Sequence, residues 1–261
     1  MYFVSSRIPA AYSASGEKLS LLALFAHPED EFFGPAGTLA RYVSEGVIVS
    51  LVTATRSSFI EKVEEMTTQR ERSCTCRAAG IRRACLFNFP PGELRRVPLD
   101  VIEERVVRLI RELRPQVIVT FAPQGLTGAD EDNYLISQVA TAAFRDAADS
   151  NCFAHHLREG LPAYAVQKLY YCVLPASLVA RWGIPGINAV PDAEITTRLD
   201  VSAQTEVMKN ALYCLRHHAL DFVRRLTEES NLVWDTEYYQ LVESRLHHRA
   251  RQETDLFAGL R

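Results

Sequence analysis

Five consecutive residues, His27-Pro28-Glu29-Asp30-Glu31, gather an imidazole and three carboxylates into one short stretch of the 261-residue chain. A histidine with an aspartate three places on can bring a ring nitrogen and a carboxylate oxygen onto one cation, and both are competent zinc ligands. Glu29, between them, can take a proton from a water whose pKa a metal has lowered toward neutrality. A plainer role competes with this one: His27 ends a strand, and Asp30 and Glu31 favour the N-terminus of the next helix through its dipole. Much later in the chain, Asp130-Glu131-Asp132 forms a second acidic triplet, followed by Asn133. Two such triplets facing each other repel unless they are protonated, splayed apart or bridged by a cation. Here too capping competes, with Asp132 or Asn133 at the head of a helix that begins near Tyr134.

Whether the two stretches can meet depends on the elements that carry them. Residues 19–26 form a near-continuous apolar run, the pattern of a strand buried on both faces. A helix follows over about 37–44 and stops at Gly46, and 47–53 (VIVSLVT) is a second strand. A charged helix over about 60–79 ends at Gly80, and 83–89 reads as a third strand. Ile102, Val106, Leu109, Ile110 and Leu113 share one face of a 3.6-residue period. Pro115 ends that helix, 117–121 (VIVTF) is a fourth strand, and a helix over about 134–148 precedes a fifth strand at 168–174. Four βα units in succession predict an α/β fold with a Rossmann-like, mostly parallel sheet and helices on both faces. One domain is expected, with a core over about 19–175 and a helical C-terminal extension over about 176–261. Its helices fall at about 202–226 and 237–246. In such sheets ligands bind beyond the carboxyl ends of the strands. The loops at 27–31, 55–58, 90–93 and 122–133 are therefore the places for chemistry, and both acidic triplets lie in them.

Composition narrows the function by exclusion. Twenty-nine Lys and Arg stand against 32 Asp and Glu, a net charge of −3, which gives no global electrostatic case for a nucleic-acid partner. The longest unbroken apolar run, 21–26, is far short of the roughly 20 residues that a membrane helix needs. No apolar leader segment is visible in 1–18, so a cytoplasmic protein is expected. The six cysteines have no CxxC spacing, and Cys74 and Cys76 would point apart on a helix, so reduced thiols are expected. No GxGxxG follows the first strand and no GxSxG elbow occurs, which disfavours dinucleotide binding and serine hydrolysis. Glu103, Glu104, Arg108 and Arg111 read as a solvated helix face. Of the doublets His155/His156, His217/His218 and His247/His248, only the first lies in an irregular segment, from which it can reach the strand ends and act as a ligand.

Ala26–Glu31 (AHPEDE) with Gly37–Ala40 (GTLA), then LVTATR, TFAPQGLTG and KLYYCVLP, resemble the PIG-L/LmbE family over about residues 19–225. Those proteins are metal-dependent N-deacetylases of N-acetylglucosaminyl compounds and related N-acetyl sugars. The resemblance implies zinc or another divalent metal as cofactor, with His27 and Asp30 as ligands. It implies Glu29 as general base, where the family pattern AHPDDE has its first aspartate. The family's GHPDH corresponds to residues 128–133 (GADEDN), which carry no histidine, so the third ligand falls on Asp132 or Asn133. A His/Asp/Asp set is harder and more oxygen-rich than the usual one. Asn133, Arg56 and Arg70 are placed on the substrate side. Further departures from the pattern fall on Thr68, Pro91 and Leu215. The partner so implied is a small N-acetyl sugar or glycoconjugate, with no nucleic acid, no membrane span and self-association left open. The alternative is a catalytically impaired relative that keeps the fold and binds a sugar or a protein partner.

Overall fold

The computed structural model describes residues 10–28, 30–56, 74–214, 235–246 and 252–261. β1 (Ser20–Phe25), β2 (Ile48–Thr55), β3 (Arg83–Phe89), β4 (Val117–Phe121) and β5 (Lys168–Val173) are all parallel to one another. β6 (Thr197–Asp200) and β7 (Thr236–Ser244) complete a seven-stranded sheet of order β3-β2-β1-β4-β5-β7-β6, in which β7 runs antiparallel to both its neighbours. Alternate residues of β1 supply two cores. Leu21, Ala23 and Phe25 pack on the side of α2 (Ala36–Ser44), with Leu39 and Tyr42. Leu22, Leu24 and Ala26 pack on the opposite side with Ile102, Val106, Val107 and Ile110 of α3 (Leu99–Leu113) and Ile136, Val139, Ala140 and Ala143 of α4 (Glu131–Asp146). Burial on both faces is why these strands read as unbroken apolar runs.

The order of the strands locates the site. From β1 the chain builds outward through β2 to β3, then crosses back to lay β4 on the other side of β1. The loops after β1 and β4 diverge to opposite faces and leave a crevice at the carboxyl edge of the sheet, where open α/β folds bind ligands. α1 (Asp30–Phe33) follows β1 directly, and α4 begins where the β4 loop ends.

Several local expectations need correction. The helix expected over about 237–246 is strand β7, in which Glu237 and Tyr239 alternate inward with a period of two. The C-terminal third thus adds an antiparallel pair to the sheet as well as two helices, α6 (Ala176–Trp182) and α7 (Thr205–Cys214), the second lying within the helix expected over 202–226; residues 215–226 fall outside those described. α4 starts at Glu131 with Asp130 as its N-cap, not Asp132 or Asn133, because Asp130 Oδ1 accepts the Asn133 amide at 2.9 Å. Cys74 and Cys214 form a disulfide that does not include the buried Cys76, as the divergent directions of Cys74 and Cys76 require. Arg111 is not on a solvated face. It is 1% exposed, and its guanidinium donates to the carbonyls of Asp146, Ala147, Asp149, Cys152 and Phe153, saturating the turn that follows α4. A five-donor planar fork is the only side chain that can do this.

The last residues close the base of the sheet. Lys168 Nζ donates to both oxygens of Glu253 at 2.9 Å, and the Tyr170 hydroxyl donates to the same carboxylate. A buried pair of this kind persists because each charge is paired and hydrogen-bonded. No helix among the described residues is long and apolar enough to cross a membrane.

Candidate metal centre

His27 sits two residues beyond the end of β1 at Phe25 and is 4% exposed. Its backbone amide donates to Asp30 Oδ2 at 2.8 Å, which folds the loop into the first turn of α1. Its ring is held from both ends. Nδ1 lies 2.8 Å from Thr55 Oγ1 at the end of β2, and Nε2 lies 3.0 Å from Asp130 Oδ2 on the loop after β4. The β1 and β4 loops, 103 residues apart in sequence, therefore meet across the crevice as expected.

Asp132 belongs to the same group: one atom each from His27, Asp130 and Asp132 lies within 4.8 Å of the others. Its carboxylate also accepts the Gly92 amide at 2.5 Å and the Leu94 amide at 3.2 Å, so the loop after β3 is built onto it. Asp30 stands beside His27 through its amide bond and is not one of these three converging groups. The β4 loop is braced from outside by Asn188, whose side-chain amide donates to the carbonyls of Gln124 and Gly128 at 2.6 Å. Burial opposes the ionisation of Asp130, yet the nearby His27 ring and the hydrogen bond from the Asn133 amide outweigh it and hold this carboxyl below its ordinary range. For Asp132 burial prevails over the two amides and pushes the carboxyl up.

Among the other residues singled out by sequence, Asn133 is buried in the first turn of α4 beside Gly125, and Arg56 is exposed just past β2. Glu29 and Arg70 lie outside the described residues, as do Thr68, His217, His218, His247 and His248. Two contributors had no role assigned from sequence. Asp130 lies in the second triplet, where the resemblance points to Asp132 or Asn133 as the ligand, and Thr55 heads the loop at 55–58. Their signal is positional: each ends up opposite a different nitrogen of one ring.

His155 and His156 do not reach this crevice. They lie on α5 (His155–Arg158) against α3, where His155 Nε2 meets Glu104 Oε1 at 2.7 Å and His156 Nε2 lies 3.5 Å from the same oxygen. These three also converge in a manner that could hold a cation. Arg111, however, directs a guanidinium N–H at His156 Nδ1 from 3.2 Å. Arginine only donates, so Nδ1 keeps its lone pair and the ring hydrogen resides on Nε2, which cannot then ligate. The donor set around His27 has no such obstacle. One imidazole and two carboxylates fit zinc, and the oxygen-rich balance also suits harder divalent ions.

A family model described as PIG-L, GlcNAc-PI de-N-acetylase, matches residues 22–144, a span that runs from β1 to α4 and holds both loops of the crevice. The chain is 30% identical over 236 residues to a 1D-myo-inositol 2-acetamido-2-deoxy-alpha-D-glucopyranoside deacetylase of Rhodococcus jostii, covering 74% of this chain and 79% of that one. Among solved structures it resembles N,N'-diacetylchitobiose deacetylase from Pyrococcus horikoshii, with a TM-score of 0.67 at 15% identity over 88% of this chain and 85% of that one. It also resembles a 4-carboxy-2-hydroxymuconate hydratase of Pseudomonas putida, with a TM-score of 0.63 at 15% identity over 89% and 99% of the two chains. Those two likenesses speak for the fold alone, and they show one fold carrying two different reactions. The sequence relative reaches further, because it is 30% identical over 74% of this chain, and on that ground the chain belongs to the PIG-L family.

Proposed function

We propose that the chain is a divalent-metal-dependent amide hydrolase that removes the acetyl group from an N-acetylglucosaminyl-type sugar. The observation that carries this reading is the convergence of His27, Asp130 and Asp132 at the switch point of the sheet. His27, Asp130 and Asp132 would hold the ion, with Asp30 alongside and zinc the ion best suited to the imidazole. When bound, such an ion supplies a more acidic water and a polarised acetamide carbonyl.

The chain's own residues do the rest. Glu29 accepts a proton as the water oxygen adds to the carbonyl carbon, and delivers it to the sugar nitrogen as the C–N bond breaks. Acetate and a free amine leave. Asn133, at the head of α4, and Arg56, exposed just past β2, would hold the sugar and orient its acetamide, with Arg70 as a further contact. The sugar class follows from the relatives, which are deacetylases of N-acetyl sugars.

The test is release of acetate from an N-acetylglucosaminyl-inositol or an N-acetylglucosaminide by the purified, zinc-loaded protein. Glu29→Gln should lower the rate on the order of 10²-fold or more while metal content is unchanged. Absence of acetate from every N-acetyl sugar tried with the loaded protein would refute the reading.

A further inference from the structure

Thr55 ends β2 and is fully buried, with its hydroxyl between two partners. Oγ1 lies 2.8 Å from His27 Nδ1 and donates to the Ala26 carbonyl at 2.9 Å. The same carbonyl takes the Thr55 backbone amide at 2.8 Å, so its two lone pairs are both used. A hydroxyl has one hydrogen. With that hydrogen on Ala26 O, Thr55 offers only lone pairs to Nδ1, and Nδ1 must carry the ring hydrogen. Nε2 is then a bare lone pair facing the Asp130 carboxylate 3.0 Å away, an arrangement that a cation between them reconciles. If the hydroxyl instead turns its hydrogen toward Nδ1, the ring hydrogen moves to Nε2 and bonds Asp130, which is the tautomer of a site without its ion.

We infer that Thr55 is a positioning residue for the metal, holding the His27 ring in place and in the Nδ1–H tautomer so that Nε2 is presented to the ion. The inference rests on the metal-centre reading above. It also explains why a β-branched hydroxyl serves here: the branched side chain is stiff about χ1 on a buried strand, so the ring has a fixed acceptor. It contrasts with His156, whose Nδ1 is met by a group that can only donate. Metal-bound histidines generally owe their tautomer to the partner of the other ring nitrogen, and loss of that partner weakens metal binding about 10–100-fold.

The experiment measures zinc and cobalt affinity of the full chain by competition with a chromophoric chelator, together with the visible spectrum of the cobalt form. Thr55→Val, which keeps the shape and removes the hydroxyl, should weaken both ions about 10–100-fold and alter the cobalt bands, while Thr55→Ser restores affinity to within about threefold of the parent. Melting of the metal-free proteins controls for folding, and if the Val variant does not fold, Thr55→Ala gives the same comparison. Parent-like affinity and spectrum in the hydroxyl-free variant would overturn the role of Thr55 and leave the hydrolase proposal standing. A parent protein that binds neither ion would overturn the metal centre and this role together.

Discussion

Asp130 and Asp132 are two residues apart and face the same ring, yet their remaining bonds differ, and that difference separates their duties. Asp130 spends one oxygen on the Asn133 amide as a helix cap and turns the other to His27. Asparagine caps a helix as well as aspartate does. Asp130→Asn should therefore leave thermal stability nearly unchanged and weaken metal binding, because only the charge opposite His27 is removed. Asp132 accepts two amides from the β3 loop. Asp132→Asn sets an amide NH2 against one of those N–H groups, and leaving a buried donor unmatched costs about 1–3 kcal/mol. Paired thermal melts and zinc titrations should show the first variant impaired in binding alone and the second in both. Equal loss of stability in the two would contradict the division. The sequence shows that both acids lie at the right edge of the sheet. It does not show which oxygen meets which partner, since every one of these bonds except the cap crosses between elements far apart in the chain.

At the scale of elements, legibility follows burial. β4 runs over the residues its apolar pattern indicates, because a parallel strand covered on both faces has few alternatives, and β3, a partly exposed edge strand, also runs over its expected residues. β7 escaped because its stretch, TEYYQLVES, alternates weakly and its strand character comes from its neighbours β5 and β6. β7 also performs a task that no local pattern encodes. Glu237 reaches from it to the N-terminus of α2, where its oxygens accept the Gly37 and Thr38 amides at 2.8 and 2.9 Å, with the Tyr239 hydroxyl at 3.1 Å. Burial pushes the Glu237 carboxyl up to about 6, against the opposing pull of those donors. A carboxyl whose folded pKa is raised favours folding below its unfolded value near 4.5 and loses that contribution as pH rises through about 6. The loss is roughly 2 kcal/mol, at 1.36 kcal/mol per pKa unit. Urea unfolding between pH 4.5 and 7 should show this decline in the parent relative to Glu237→Gln, in which the difference is flat with pH. Parallel pH profiles for the two proteins would exclude it.

For the whole molecule, the sheet explains where chemistry can occur but not which reaction occurs, as a hydratase on the same fold demonstrates. What distinguishes this chain is how its distant parts are fastened around the crevice. The C-terminal residues are tied to β5 by the Lys168–Glu253 pair, and α7 is tied by Cys214 to Cys74, just ahead of β3. Cysteine spacing does not hint at that disulfide, because its two residues are 140 positions apart and only the folded chain brings their Cα atoms to 5.6 Å. Closing so long a loop restricts the unfolded chain far more than the folded one, a contribution of about 5 kcal/mol in the chain-entropy model. Protein purified without reductant, denatured and alkylated should thus take label on Cys76, Cys85, Cys152 and Cys172, with Cys74 and Cys214 recovered as one cross-linked peptide. Reductant should shift the urea midpoint down in the parent and leave Cys214→Ser unaffected, since the variant has no bridge to lose. Label on all six cysteines, or equal response of both proteins to reductant, would show that the bridge does not form and that α7 is held by packing alone.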